Sequence, residues 1–343
     1  MRSLPRMALA LTLPVLAGAC GGERREEATA GAPDAFVVVS NRGGAWRLYE
    51  TAGAGGGARL VGSPRADDAS YADGQPARLP DGTIVFTSDR GGRAALYLCD
   101  RGREEARPVF GAAAAGGGAD APAGDAGSGS PDSDPAPCGA DRIVFARIAP
   151  AESDPGAVAD GARDLFLVRR DGSGLRRLTG DPADDGAPCA LSDGHSIVFA
   201  SARQGERRLF RLDADAPDPE RTVTPLFNAV TGTSDDAPAC LADGSILFAR
   251  SAPGAPSQVF QARFTDRGPA ARQLSDTATL PYGAGEPVPL GDGRILMTAG
   301  PGPANGGPRF AVYGISGGGY NLARVTRERA GYEDLTRRLR PSR

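Results

Sequence analysis

Residues 184–201 read DDGAPCALSDGHSIVFAS, and residues 235–250 read DDAPACLADGSILFAR. Both run in the same order: acids, a Pro, a short apolar segment, Asp-Gly, then an apolar run. That order recurs as DGQPARLPDGTIVFTS at 73–88 and GEPVPLGDGRILMTA at 285–299, with a shorter copy, DPAPCGADRIVFAR, at 134–147. The Asp anchors of the copies are Asp81, Asp141, Asp193, Asp243 and Asp292, spaced by 60, 52, 50 and 49 residues. A period of this size marks a repeat architecture.

Three further segments repeat inside each period. FVVVS at 36–40 adds a sixth copy of the apolar run. After the run comes an alternating segment: RLYE (47–50), ALYLC (95–99), DLFLV (164–168), RLFRL (208–212), QVFQA (258–262) and RFAVY (309–313). A Gly- or Asp-rich turn and a last short segment follow, as in ARLV (58–61), RRLT (176–179) and ARVT (323–326). Period-two alternation, β-branched and aromatic residues, and Gly/Pro/Asp boundaries make each of these a strand. Four strands per unit, six times over, predict an all-β, six-bladed β-propeller. The first blade begins at its second strand, and the tail GYEDLTRRLRP (331–341) aligns with TSDDAPACLAD (233–243), Glu333 falling on Asp235. The C-terminal strand is therefore expected to complete blade 1 and close the ring, the alternative being a frayed basic tail.

The stretches PDGTIVFTSDRGG (80–92), LYLCD (96–100) and RRDGSGLRRLTGDPADDGAP (169–188) resemble the WD40-like, TolB-type (PD40) propeller repeat. The resemblance covers residues 34–341. It departs from the family at the Trp of the repeat, replaced here by Arg78, Cys138, Ala190, Cys240 and Pro289. It implies the propeller fold and, as partner class, another envelope protein. A fold of this kind does not itself specify a function.

Ahead of the repeats, MRSLPRMALALTLPVLAGAC (1–20) has a basic start and an apolar run too short to span a bilayer permanently, which is the form of a secretory leader. Its end, LAGAC, resembles the lipobox of bacterial lipoproteins, implying lipidation of Cys20. Gly21 after it implies export to the outer membrane, facing the periplasm. Residues 21–33 read as a flexible polar tether, and the Gly/Ala/Ser/Pro/Asp-rich stretch 111–137 as a disordered insertion between blades.

Composition narrows the chemistry. The chain has 49 Gly, 29 Pro and 39 basic residues, all of them Arg. A formal charge of −3 without a basic block argues against nucleic acid. Without Lys there is no P-loop and no Schiff-base site, and a single His without CxxC spacing gives no zinc set. GISGG at 314–318 has the G-x-S-x-G spacing, but it precedes a strand, and the only His, His195, lies upstream on an Asp-Gly turn. No catalytic residue, metal or cofactor is expected. Besides Cys20 there are Cys99, Cys138, Cys189 and Cys240. These allow three pairings or buried thiols, and alternation points Cys189 and Cys240 to opposite faces of their strands.

The candidate binding feature is the acid three residues before the repeat's Pro: Asp73, Asp134, Asp185 and Asp235, with Glu333 in the tail. Asp184, Asp236 and Asp334 stand beside them, and Tyr71 and Tyr282 lie in the same loops. Each acid precedes an innermost strand, so the set should ring one mouth of the central channel, where carboxylates suit a cation, an Arg-bearing peptide or a partner's N-terminus. Asp at this place also satisfies loop amides through an Asx-turn. The expected function is a monomeric, lipid-anchored, non-catalytic protein-binding scaffold of the cell envelope. The alternatives are a propeller enzyme acting on a sugar or lactone through channel carboxylates, and a purely structural surface lipoprotein.

Overall fold

The computed structural model describes residues 35–52, 58–110, 131–148, 162–228, 230–265, 268–277, 280, 283–290, 293–299, 311–316, 323–324 and 334–335. The leader with Cys20, the tether, residues 111–130, Tyr282 and Glu333 lie outside them. Six four-stranded antiparallel sheets are formed. Blade 1 has β1 (Ala35–Ser40), β2 (Arg47–Ala52) and β3 (Ala58–Val61). Blade 2 has β4 (Asp73–Arg78), β5 (Ile84–Ser88), β6 (Ala95–Cys99) and β7 (Arg107–Pro108). Blade 3 has β8 (Asp132–Cys138), β9 (Arg142–Ile148), β10 (Arg163–Arg169) and β11 (Arg176–Arg177). Blade 4 has β12 (Asp185–Ala190), β13 (Ser196–Ser201), β14 (Arg208–Asp213) and β15 (Thr224–Pro225). Blade 5 has β16 (Ser234–Cys240), β17 (Ile246–Ala252), β18 (Ala255–Thr265) and β19 (Gly268–Gln273). Blade 6 has β20 (Ala284–Pro289), β21 (Arg294–Ala299), β22 (Ala311–Ser316) and β23 (Ala323–Arg324). β24 (Asp334–Leu335) returns to pair with β1 as the first member of blade 1, Asp334 opposite Ser40. Among the described residues no helix is long and apolar enough to cross a membrane.

The apolar runs are nearly unbroken, as in IVFTS and SIVFAS, because the second strand of a blade is covered on both faces. The core accordingly divides into six clusters, one at each junction between consecutive blades. Val39, Leu48 and Val61 meet Ile84, Phe86 and Cys99 between blades 1 and 2. Leu165, Leu167 and Leu178 meet Ile197, Phe199 and Phe210 between blades 3 and 4. The sixth cluster joins Leu296 and Val312 of blade 6 to Phe36, Val38 and Tyr49 of blade 1, so packing carries the ring across its seam. Burial of each such side chain is worth about 1.5–3 kcal/mol.

The repeat's Pro shapes the inner strands. Having no N–H, it cannot continue the ladder. The pairing register shifts at this point in β4, β8, β12, β16 and β20. The residue before the Pro is left-handed each time: Gln75, Asp134, Ala187, Ala237 and Glu286, with φ of 50–53°. These bulges correct two alignments. Asp73, Asp185 and Asp235 stand opposite Ser88, Ser201 and Arg250, and the residue so placed in blade 3 is Asp132, opposite Arg147. Asp134 is instead the bulge residue, because the repeat's Pro is Pro135 and not Pro137. In blade 1 the register puts Asp334, rather than Glu333, at that place. The insertion also ends earlier than its composition suggests, since residues 132–137 belong to β8.

The four described cysteines resolve into one bridge and two thiols. Cys189 and Cys240 form a disulfide with Cα atoms 5.6 Å apart. Opposite faces of consecutive blades are the faces that meet, so the alternation that separates these residues within the repeat brings them together between blades 4 and 5. Cys99 and Cys138 are buried thiols, and burial pushes the Cys138 thiol up to about 11.

Candidate binding face at the channel mouth

In blades 2 to 5 the acid at the start of the inner strand is buried and held by an arginine of its own blade. Arg90 donates to Asp73 at 2.7 Å, Arg147 to Asp132 at 2.6 Å and Arg203 to Asp185 at 2.9 Å. Arg250 grips Asp235 with two bonds, 2.6 and 2.8 Å. Burial raises the carboxyls of Asp73, Asp132 and Asp185 above their ordinary value, against the pull of the arginines. The guanidinium groups lie over aromatic rings: Arg90 over Tyr71, Phe86 and Tyr97, Arg147 over Phe110, Phe145 and Phe166, and Arg250 over Phe227, Phe248 and Phe260. Such stacking adds cation–π attraction to each charge pair.

Two sequence devices supply the arginine. Blades 2 and 4 use Ser-x-Arg, in which the Ser88 or Ser201 hydroxyl accepts from Arg90 or Arg203. Blades 3 and 5 use Phe-Ala-Arg, with Arg147 and Arg250 on the strand itself. Blade 1 repeats the first device, with Arg42 bound to Ser40 and stacked on Tyr49. Blade 6 has Ala284 opposite Ala299, so acid and base are absent together. This linked pattern was legible in the sequence as Ser-x-Arg or Phe-Ala-Arg at the end of the apolar runs of blades 1 to 5.

A second set of groups runs from blade to blade. The Gln75 side chain donates to Asp134 at 2.7 Å and accepts from the Asp134 amide, and Asp134 accepts from the Ala187 amide at 3.2 Å. Arg163 donates to Asp134 at 2.7 Å and makes two bonds to Asp184, 2.7 and 2.9 Å. Arg207 continues to Asp184 at 3.0 Å and stands 3.0 Å from Asp236. Gly186 makes room for this ladder, since a Cβ there would collide with the Arg163 guanidinium. Side-chain exposure separates the roles: Asp184 is 29% and Asp236 46% exposed, whereas Asp185 is 0% and Asp235 2%.

Of the sequence candidates, the structure thus brings Asp134, Asp184 and Asp236 into one ladder across blades 3 to 5. Asp73, Asp185 and Asp235 are buried in pairs that hold the blades. Tyr71 bonds Ser63 at 2.5 Å and carries Arg47 and Arg90 on its ring, so it too is built into the scaffold. Arg163 and Arg207 were not singled out from sequence, because nothing local distinguishes them from the other arginines. His195 sits on the turn that ends the β12 side of its hairpin, with Nδ1 3.1 Å from Asp213. Ser316 of GISGG lies in extended β22, opposite Arg294, not at a strand-to-helix elbow. Among the described residues no group of three or more His, Cys, Asp or Glu is arranged to hold a metal ion.

No protein-family model matches the chain. Over 184 residues it is 27% identical to the Protein TolB homolog of Chlorobium luteolum, a stretch covering 52% of this chain and 34% of that protein. In structure it is similar to TolB from Acinetobacter baumannii, with a TM-score of 0.63 at 17% identity over 88% of this chain and 65% of that one. It is also similar to Kuenenia stuttgartiensis hydrazine synthase, with a TM-score of 0.59 at 12% identity over 89% of this chain and 46% of that one. The structural likenesses speak for the fold alone.

Proposed function

We propose that this TolB-like, six-bladed β-propeller is an exported, non-catalytic protein-binding scaffold of the cell envelope, anchored by a lipid on Cys20 and receiving its partner at the mouth formed by blades 3 to 5. The observation that carries the reading is the Asp134–Arg163–Asp184–Arg207–Asp236 ladder. Its Asp184 and Asp236 carboxylates are partly exposed at fixed positions, while Asp73, Asp132, Asp185 and Asp235 are paired with arginines inside their blades. Fixed charges of this kind steer and orient a complementary partner, such as an Arg-bearing peptide or a protein N-terminus. They are poorly suited to acid/base chemistry, because each described carboxylate of the ladder has a guanidinium against it. Sequence likeness to a TolB homolog and the lipobox-like LAGAC support the envelope setting, and the disulfide suits an oxidising compartment.

The test is cross-linked affinity capture from native envelopes with the lipidated chain and its Asp184→Asn/Asp236→Asn variant. Loss of a captured partner at unchanged melting temperature is expected. Equal capture by the variant would remove the mouth from the reading, and a Cys20→Ala chain that stays membrane-bound would remove the anchor.

A further inference from the structure

The outer hairpin of blade 5 outruns its sheet. In the other blades the described third strand ends opposite the first residue of the second, as Ala52 does opposite Ala35 and Asp213 opposite Ser196. In blade 5 that place is taken by Ala262, opposite Ile246, and the strand runs on as Arg263, Phe264 and Thr265, paired with Ala270, Pro269 and Gly268 of β19. Three further pairs carry the arm about 10 Å past the start of β17. The Thr265 hydroxyl fastens the arm by donating to the Gly268 carbonyl at 2.8 Å.

The arm is apolar on one side. Phe264 is 48% exposed, and among the described residues Val230 is the other large apolar side chain so exposed. Phe264 and Pro269 are cross-strand partners, so their side chains share one side of the ribbon. Arg263 precedes Phe264 on the strand and points to the other side, its exposed guanidinium 3.8 Å from Asp243. A ring flanked by a guanidinium on a long stem suits the boundary between acyl chains and phosphates.

Strand direction puts the arm and the beginning of β1 on one edge of the propeller. The Asp73 amide donates to the Trp46 carbonyl at 3.0 Å and the Asp235 amide to the Arg207 carbonyl at 2.9 Å, so the loop that follows a second strand meets the start of the next inner strand. Ser40, which ends β1, therefore shares an edge with Asp73, Asp235 and the Asp184–Asp236 ladder. Ala35, which begins β1, and Thr265, which ends β18, lie on the other edge with the Asp-Gly turns, about 17 Å away along β1. Fourteen residues separate Cys20 from Ala35. A chain of that length has a coil span of about 20 Å, so a bilayer holding Cys20 is nearer to the Asp-Gly edge than to the ladder. The turns themselves carry the acids Asp81, Asp193 and Asp243, which anionic headgroups repel; the arm offers this edge an apolar contact instead.

We propose that the Arg263–Thr265 arm is a membrane-contact element: Phe264 enters the headgroup layer of the bilayer that holds the Cys20 lipid, with Arg263 against its phosphates. The propeller then stands with its Asp-Gly edge toward that bilayer and its ladder away from it, open to a partner that is not embedded in the same leaflet. The proposal rests on the lipid-anchor reading above.

The test uses the full lipidated chain in vesicles of phosphatidylethanolamine and phosphatidylglycerol, some of them brominated on the acyl chains. The indole introduced by Phe264→Trp is expected to emit further to the blue on the vesicles and to lose fluorescence to the bromolipid. The indole introduced by Val230→Trp, in the loop before β16 on the ladder edge, should do neither. Trp46, the chain's one Trp, is subtracted with the wild type. Equal quenching at the two positions, or more at 230, would overturn the arm. Flotation of the same samples separates the two readings: a chain that floats without quenching at 264 overturns the arm alone, and one that does not float overturns the anchor and the arm with it. If either variant fails to fold, amide hydrogen exchange of the wild type decides, with slower exchange across 263–271 on vesicles expected and unchanged exchange overturning the proposal.

Discussion

Asp235 and Arg250 stand directly opposite each other on the first two strands of blade 5, carboxylate against guanidinium with two bonds of 2.6 and 2.8 Å. In blade 6 the same register pairs Ala284 with Ala299. A buried charge pair that is lost only as a pair is a single unit, since removing one member strands the other in the core.

A double-mutant cycle should show that unity. Asp235→Ala alone is expected to cost about 3–5 kcal/mol. Asp235→Ala/Arg250→Ala should cost clearly less than the two single changes added together, in denaturant unfolding. Additive losses would mean that Arg250 acts through its aromatic stack alone.

The disulfide should staple blades 4 and 5. Replacing Cys189 and Cys240 by Ala is expected to lower stability by about 2–4 kcal/mol. In denaturant, reduction should expose two more titratable thiols than the unreduced protein, and no increase would contradict the bridge.

Gly186→Ala places a methyl group where the Arg163 guanidinium lies. Overpacking of this sort costs about 1–3 kcal/mol. Because Arg163 holds Asp134 and Asp184, capture of a mouth-bound partner should fall with it. Full stability with full capture would show that Arg163 is free to move aside.

Asp193 caps its hairpin turn by accepting from the amides of His195 and Ser196. Burial works against the charge, but the Ser196 hydroxyl, these amides and His195 prevail and hold the carboxyl down at about 2. A folded-state value below the unfolded one gives stability that is present above about pH 4 and lost as pH falls toward 2. The group is over a third exposed, so Asp193→Ala should cost about 1 kcal/mol at pH 7 after screening. The difference from wild type should vanish near pH 2, in melting curves taken across that range.

Removing residues 331–343 takes away β24 and leaves β1 as an exposed edge. A large drop in melting temperature with aggregation is expected. An unchanged melting temperature would assign ring closure to the blade 6–blade 1 core alone.

Much of the architecture can be read along the chain because a blade is a local object. Asp-Gly turns, period-two alternation and a fifty-residue period act within one unit, so GAPCALSDGHSIVFAS declares its hairpin wherever it occurs. Counting failed where two prolines competed: Pro135 and Pro137 are equal as letters, and only the bulge after Ser133 chooses Asp132 as the partner of Arg147. It failed likewise at Glu333 and Asp334, where one residue of register decides which acid faces Ser40.

By itself, then, the sequence determined the six repeats, the strands within them and the acids that open the inner strands. Tertiary structure decided which of those acids stay partly exposed and which are buried. Asp184 and Asp185 are neighbours of the same type, yet one stays 29% exposed beside Arg163 and Arg207 while the other is buried against Arg203. The meeting of Cys189 with Cys240 depends on the next blade in the same way. Side-chain roles at such junctions come from faces separated by tens of residues, whose contact depends on how consecutive blades pack and not on local order.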